Sequence, residues 1–261
     1  MMLSGGRWNG FGGTDTSSCV RRENRQQALI AIVAAIEREV WPMVKDWPRR
    51  EANFAGRWYR FFEQAGTAVV CGGIGSEAAR RATEAVIELY RPTLVVSAGF
   101  AGGLDPALAV GDALRPRHIL NGADGSRTDS GSGQGVLISF PHVASPEQKA
   151  KLRQAYGAQA VDMEASAVAQ SAQAHQVKFM ACKVISDTSS SRLAPFERFV
   201  GPDGKFRLLR FLGYVAVRPW LWWKVKRSAR ETARAATNLC QALAEVCAGK
   251  GPGTKFETIP T

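Results

Sequence analysis

Histidine is scarce in this chain. The three residues, His118, His142 and His175, stand far apart and at no metal-ligand spacing, which disfavours a histidine triad or a His-rich metal site. Cysteine is sparse as well. Cys19, Cys71, Cys182, Cys240 and Cys247 form an odd set without a CxxC pair. That argues against a disulfide framework or a zinc site and for a reducing cytosol. Neither GxGxxG nor a Walker loop is present, so dinucleotide or nucleotide-triphosphate binding has little support. No RNP, zinc-finger or helix-turn-helix pattern occurs, which weakens a nucleic-acid role. The most apolar run, Leu208 to Trp223, is too short and too charged to span a bilayer, and Pro219 interrupts it. Acids are also in deficit, 23 against 34 Lys and Arg, for a net charge of +11. Such a charge suits an anionic membrane, a nucleic acid or an anionic substrate, and its location decides among them.

What is present is a globular composition. With 261 residues, 45% apolar and 22% charged, the chain can build one large domain with a full core. Met1 to Gln27 is rich in Gly, Ser, Asn and Arg, lacks the apolar run of a signal peptide, and is expected to be a disordered extension, 1–27. The single domain is expected over 28–248, with a flexible tail at 249–261.

The stretch Val161-Asp162-Met163-Glu164-Ala165 organises the rest. A buried strand is expected before it (Ala158 to Val161) and a small-residue helix after it (Ala165 to His175). Acids at such a junction either complement a helix dipole or project into the ligand crevice at the carboxyl end of a strand; the stretch alone admits both. The same choice arises earlier. Ala28 to Ala35 reads as a strand buried on both faces, and Ile36-Glu37-Arg38-Glu39-Val40 follows it. It arises again at Asp187, beyond the buried strand Phe179 to Ile185. One such acid is unremarkable. Three of them (Glu39, Glu164, Asp187), each beyond an apolar strand, suggest convergence on one cleft.

Between these acids the chain alternates strands and helices. Arg57 to Glu63 reads as a half-exposed strand and Thr67 to Val70 as a buried one. The turn Cys71-Gly72-Gly73-Ile74-Gly75-Ser76 then enters a helix, Glu77 to Tyr90. Such a turn either closes a tight junction or brings backbone amides close to an anion or sugar. Thr93 to Ala98 is a further strand, running into a second glycine-rich turn, Gly99 to Leu104. Asp112 to Leu120 and Val136 to Phe140 read as strands, with a polar loop, Asn121 to Gly135, between them. Ser145, Pro146 and Gln148 supply an N-cap, a first-turn proline and a capping-box partner for a helix to about Tyr156, which Gly157 ends.

Several of these segments resemble one family. Ala35-Ile36-Glu37-Arg38-Glu39-Val40, Ser97 to Leu104 with Val110-Gly111-Asp112, Val161 to Ala165, and Val184-Ile185-Ser186-Asp187 are similar, in order, to segments of the 5′-methylthioadenosine/S-adenosylhomocysteine nucleosidases. These belong to the wider purine nucleoside phosphorylase and nucleosidase superfamily. Within it, Phe100 to Leu108 and the basic aromatic segment after Asp187 resemble the hopanoid-associated phosphorylase-like proteins, linked to removal of adenine from adenosylhopane.

The resemblance implies an α/β three-layer sandwich around a twisted mixed sheet, assembled as a homodimer or larger homo-oligomer. It implies an N-glycosidase without a cofactor or metal that acts on a small-molecule nucleoside and releases adenine. By the same resemblance, Asp187 would protonate purine N7 with Ser186 helping to hold it. Glu164 would accept from the ribose hydroxyls, Met163 would pack on the sugar, and Glu39 would be the base on water. Backbone groups of Ala101 and Gly102 would line the pocket. Glu39 stands where phosphorylases do not want a carboxylate, so hydrolysis is favoured. Lys183 replaces an arginine of the nucleosidase pattern, which keeps the charge without its bidentate fork. With Gly73 it is a candidate for phosphate or charge support, so phosphorolysis stays open. Asp162 stands where glutamate is common, and the Asn121 to Gly135 loop is short for the family, implying a more open 5′ pocket.

The excess charge is concentrated. Arg192 to Asn238 carries eleven Lys and Arg against three acids, a net +8, and three of the seven tryptophans (Trp220, Trp222, Trp223). The segment 192–227 suits an interfacial contact with an anionic membrane or an amphipathic cap packed on the domain. Ser228-Ala229-Arg230-Glu231 reads as a capping box, with a last helix from Ala229 to about Ala248. The expected location is cytoplasmic, peripheral to the inner face of the membrane. The competing classes are a non-catalytic nucleoside-binding protein on the same fold, disfavoured by the three acids together, and a membrane or nucleic-acid adaptor.

Overall fold

The computed structural model describes residues 29–191 and 219–249, with side chains of the second segment from Arg230 onward. The expectations for 1–27, for 192–218 and for 250–261 lie outside the described residues. In chain order the elements are β1 (Ile30–Ala34), α1 (Glu37–Val44), β2 (Arg49–Phe54), β3 (Arg57–Gln64), β4 (Thr67–Cys71), α2 (Ser76–Tyr90) and β5 (Leu94–Gly103). They continue with β6 (Ala113–Leu114), β7 (His118–Asn121), β8 (Arg127–Asp129), β9 (Val136–Ser139), α3 (Pro146–Tyr156), β10 (Ala160–Asp162), α4 (Ala165–Ala174), β11 (Lys178–Asp187) and α5 (Pro219–Cys247).

Among the described residues the strands form one mixed sheet in the order β2-β3-β4-β1-β5-β10-β9-β7-β8, with β11 lying against β5 and β6. Strands β4, β1, β5 and β11 run parallel. Their carboxyl ends therefore open onto the same edge, where α/β folds bind ligands. Their apolar runs are buried on both faces: Ala31, Ile32, Val69, Val70, Val95 and Val96 are fully or almost fully shielded. On one face α2 and α4 pack through Ala82, Val86, Val168 and Ala172. On the other, α1 and α5 pack through Val40, Val44, Ala235, Leu239 and Leu243. The result is the three-layer α/β sandwich around a twisted mixed sheet. A smaller cluster, with Leu104, Ile138, Leu152 and Val161, seats α3 beside β9 and β10.

Local chemistry sets several boundaries as read. Ser145 caps α3 by accepting from Gln148 N while Gln148 returns the bond to Ser145 N, and Gly157 ends the helix in the left-handed region. Other boundaries differ. The expected strand Asp112 to Leu120 is two strands, β6 and β7, because Pro116 between them has no N–H for a ladder. The glycines from Gly99 to Gly103 are not a turn but the second half of β5, paired with β11 as far as Gly102 and with β10 at Gly102 and Gly103. The exposed edge strand β2 pairs with β3, and its sequence, with little apolar alternation, had not marked it as a strand. Short β8 lies inside the Asn121 to Gly135 loop. The last helix begins at Pro219, ten residues before Ala229, so Ser228 to Glu231 lies within a continuing helix and is no cap. Proline is compatible with the first turn it occupies there.

Candidate active site

Two parallel strands, β1 and β11, and a third, β10, that runs antiparallel to β5, deliver the three acids to one cavity. Its volume is about 560 Å³, and its walls include Glu39, Glu164, Asp187, Phe100, Gly102 and Met163. Ala101 and Ser186 line it too, as do Gly75, Asp162, Lys149, Arg38, His142 and Thr232. Thr232 comes from α5, so the C-terminal helix closes part of the mouth.

Glu39 lies in the first turn of α1, directly beyond β1, and satisfies both readings of that position: it is a helix-start acid and a cavity wall. Its Oε2 accepts from Ala35 N and Ile36 N at 3.1 Å each, and Oε1 accepts from Phe100 N at 3.3 Å. Gly99 makes this approach possible. With φ of +145° it holds a backbone that side chains rarely adopt, and a Cβ there would sit 3.2 Å from Glu39 Oε1. Burial raises the pKa of Glu39 above the ordinary carboxylate value, although the Ile36 amide, Lys183 and the Phe100 and Ala35 amides pull the other way. A base moved toward neutrality is better matched to proton transfer at working pH.

Glu164 follows β10 at the N-cap of α4, yet its side chain does not cap the helix. Asp162 fills that role, its Oδ2 accepting from Ala165 N at 2.9 Å while Oδ1 accepts from Ser139 Oγ at 2.6 Å. Glu164 is thereby released toward the cavity. Its Oε1 accepts from Gly75 N at 2.8 Å, so the glycine-rich turn after β4 presents its amide to the protein's own carboxylate. Burial, reinforced by the charge of Asp162, pushes Glu164 up to about 7.

Asp187 ends β11, where the ladder with β5 slips by a residue at Ser186. A bulge of this kind re-aims side chains next to functional sites. Ser186 Oγ donates to Asp187 Oδ1 at 2.6 Å, and Lys149 Nζ donates to Asp187 Oδ2 and, at 2.7 Å, to Thr188 O. Gly102 is opposite: a Cβ there would come within 3.3 Å of Asp187 Oδ2 and of Lys149 Cε and Nζ.

Two of the sequence candidates are placed differently. Lys183 is buried behind the cavity wall, 2.8 Å from Asp162 Oδ2. Burial alone would lower its pKa, but Asp162, Glu164 and Glu39 outweigh that and raise it. Gly73 does not line the cavity, and its N–H is spent on Ala35 O at 2.9 Å; Gly75, two residues on, is the glycine whose amide reaches the site. Lys149 went unmarked in the sequence, since it stands in a polar helix where lysine reads as surface. Its only signal was the spacing to Leu152, three residues on, the other buried position of α3. Among the described residues no group of three or more His, Cys, Asp or Glu is placed to hold a metal ion.

Comparisons with known proteins agree with this architecture. Residues 29–155 and 141–200 match the family model described as the phosphorylase superfamily. A 5′-methylthioadenosine/S-adenosylhomocysteine nucleosidase of Staphylococcus epidermidis is 28% identical over 164 residues, 49% of this chain and 72% of that one. One from Staphylococcus haemolyticus is 26% identical over 217 residues, 68% of this chain and 94% of that one. Among solved structures, the Neisseria meningitidis nucleosidase in complex with methylthio-immucillin-A superposes with a TM-score of 0.63 at 21% identity, covering 84% of this chain and 98% of that one. Futalosine hydrolase of Helicobacter pylori superposes equally, with a TM-score of 0.63 at 18% identity over 84% of this chain and 97% of that one.

Proposed function

The chain belongs to the phosphorylase superfamily, and from that premise we propose that it is an N-glycosidase cleaving an adenine nucleoside modified at its 5′ position, with water as the acceptor. The observation that carries this reading is the meeting of Glu39, Glu164 and Asp187 on one cavity of about 560 Å³. The relatives named as nucleosidases support the adenine nucleoside class.

Breaking a purine N-glycosidic bond requires a protonated leaving base, a stabilised oxocarbenium-like sugar and a nucleophile on the opposite face, the logic of paired acid and base in glycoside hydrolysis. We assign proton delivery to purine N7 to Asp187, held by Ser186. Glu164 accepts from the ribose diol, Met163 packs on the sugar, and Ala101 and Gly102 contribute backbone walls. Glu39 takes the proton of the attacking water. Lys183 supports this set from behind by compensating Asp162 and Glu164, rather than by meeting phosphate.

Charge favours water over phosphate. Among the described residues both buried lysines at the site are already paired, Lys149 with Asp187 and Lys183 with Asp162. The remaining cation among the described residues of the cavity wall, Arg38, is exposed, and a phosphate dianion beside Glu39 would meet a like charge, which repels strongly at close range in a shielded site. The apolar side chains Ile36, Ile74, Phe100, Pro141 and Val143 on the cavity wall suit an apolar 5′ substituent, methylthioadenosine-like or lipid-borne as in adenosylhopane. For a lipid-borne substrate, segment 192–227 docks the enzyme on the anionic inner face of the membrane, and a homodimer or larger homo-oligomer is the assembly we assign. Co-sedimentation with anionic vesicles at low salt tests the docking, and no binding there would defeat it.

Adenine release from methylthioadenosine, S-adenosylhomocysteine and an adenosyl-lipid, each with and without phosphate, tests the main reading. Phosphate-independent release with free sugar as co-product is expected. Release only with phosphate, yielding a sugar 1-phosphate, would replace hydrolysis by phosphorolysis. No release from any of the three would remove the assigned substrate class.

A further inference from the structure

Helix α3 has a polar sequence, and Glu147, Lys151 and Arg153 on it are exposed. Lys149 is the exception, with 1% of its surface accessible. Burying an ammonium costs several kcal/mol in real proteins unless partners offset it. Three elements cooperate to do so here: β11 supplies the Asp187 carboxylate, the chain just beyond it supplies Thr188 O at 2.7 Å, and β5 supplies the space left by Gly102. The pair is not sealed in the core, because both Lys149 and Asp187 line the cavity.

The arrangement bears on where the acid's proton comes from. Both oxygens of Asp187 receive donors, Oδ1 from the Ser186 hydroxyl and Oδ2 from the Lys149 ammonium. With both oxygens engaged by the protein's own donors, the proton that the departing base needs can be relayed from the ammonium that touches Asp187. We infer that Lys149 is the proton reservoir of the site, supplying through Asp187 the proton that the leaving purine takes up. The inference rests on the reading of Asp187 as the group that meets N7.

The step balances as follows. As the C1′–N9 bond breaks, its electron pair passes to the purine. Lys149 Nζ gives a proton to Asp187 and Asp187 delivers a proton to N7, leaving a neutral amine beside a carboxylate. Water bonds to C1′ and its proton goes to Glu39. After the products leave, Glu39 loses that proton to solvent and Lys149 regains one. The other charged or titratable groups sharing the cavity are Glu164 and Asp162 at the end of β10, Glu39 and Arg38 of α1, and His142 ahead of α3. Lys149 acts through Asp187 and is therefore a positioning and proton-supplying residue, not one that touches substrate.

The test compares kcat–pH profiles at saturating methylthioadenosine for wild type, Lys149→Arg and Lys149→Ala, with Asp187→Asn alongside. Arginine keeps the charge but does not give up its proton. For Lys149→Arg we expect kcat to fall by about 10²-fold or more, KM to change by less than about threefold, and the alkaline limb of the profile to vanish. Lys149→Ala should show a similar loss, and added ethylammonium or propylammonium should restore its rate in proportion to amine acidity. If a lowered melting temperature shows that arginine does not fit, the amine series with Lys149→Ala or Lys149→Gly decides: graded rescue supports the inference, and no rescue by any amine overturns it. A folded Lys149→Arg within about threefold of wild-type kcat, with its alkaline limb unchanged, also overturns it. Full adenine release by Asp187→Asn would instead bring down the reading of Asp187. An inactive Asp187→Asn beside a near-normal Lys149→Arg would leave that reading standing and remove only the role of Lys149.

Discussion

Two lysine–aspartate pairs lie buried at the carboxyl edge of the same sheet, and they are built differently. In one, Asp162 accepts from Ser139 Oγ, Ala165 N and Lys183 Nζ. These three donors fix the start of α4 and tie β10 to β11, and Lys183 lies behind the cavity wall. In the other, Asp187 accepts from Ser186 Oγ and Lys149 Nζ, and lysine and aspartate both face the cavity. A carboxylate saturated by a serine, a helix amide and an ammonium is committed to structure. One with a free lone pair beside open space is available for chemistry. Burial alone does not tell the two apart, since both lysines are 1% exposed.

The contrast can be broken first by removing each lysine. Lys183→Met leaves the Asp162 side chain, 0% exposed against 6% for Asp187, without its cation, so we expect a loss of about 3–5 kcal/mol and a fall in melting temperature of about 10 °C. Lys149→Met leaves Asp187 at a cavity that water can enter, and its melting temperature should fall less. Thermal melts of the two variants side by side check this, and equal destabilisation would erase the distinction. Next in size is Glu39→Gln, whose single amide oxygen can still accept from Ala35 N and Ile36 N while the Phe100 amide loses its acceptor, and which removes the proposed base. Adenine release should drop by about 10²–10⁴-fold with the fold retained; unchanged turnover would exclude Glu39 as the base.

The smallest effect concerns stability and pH. Glu164 is raised to about 7 by burial and by the charge of Asp162, so its protonated form favours the folded state. That contribution is full below the ordinary glutamate value and is lost as pH rises through about 7. Glu164→Gln should therefore gain stability at pH 8 and gain less at pH 5, amounting to a few degrees in melting temperature. An equal gain at both values would contradict the assignment of the cost to its ionised form.

The acids of the site were legible because each follows a segment that could hardly be anything but a buried strand. Ile32 and Val33 precede Glu39, Ala160 and Val161 precede Glu164, and Val184 and Ile185 precede Asp187. Parallel pairing through β5 then brings the ends of β1 and β11 to one edge, and β10, antiparallel to β5 at Gly102 and Gly103, brings Glu164 to meet them. The basic partners were less legible. Lys183 sits inside an apolar strand and stood out, but its direction, away from the cavity and toward Asp162, depends on pairing between β10, β5 and β11 that no local pattern encodes. Lys149 sits among Glu147, Gln148, Lys151 and Arg153, where helical periodicity marks only Leu152 as inward. The glycines from Gly99 to Gly103 read as a turn because nothing local says that other strands will pair with them. Their lack of side chains instead admits Glu39 at one end and the Lys149–Asp187 pair near the other. At the C-terminus, Ser228 to Glu231 matched a capping pattern, but helical turns ahead of it back to Pro219 leave its amides already bonded.

The central claim is that this cavity releases adenine by protonating the leaving base from Asp187. Single-turnover adenine release from methylthioadenosine by Asp187→Asn, with circular dichroism to verify the fold, tests it most directly. The account predicts a folded protein that binds the nucleoside and releases no adenine on the wild-type timescale; a folded variant releasing adenine at the wild-type rate would contradict it.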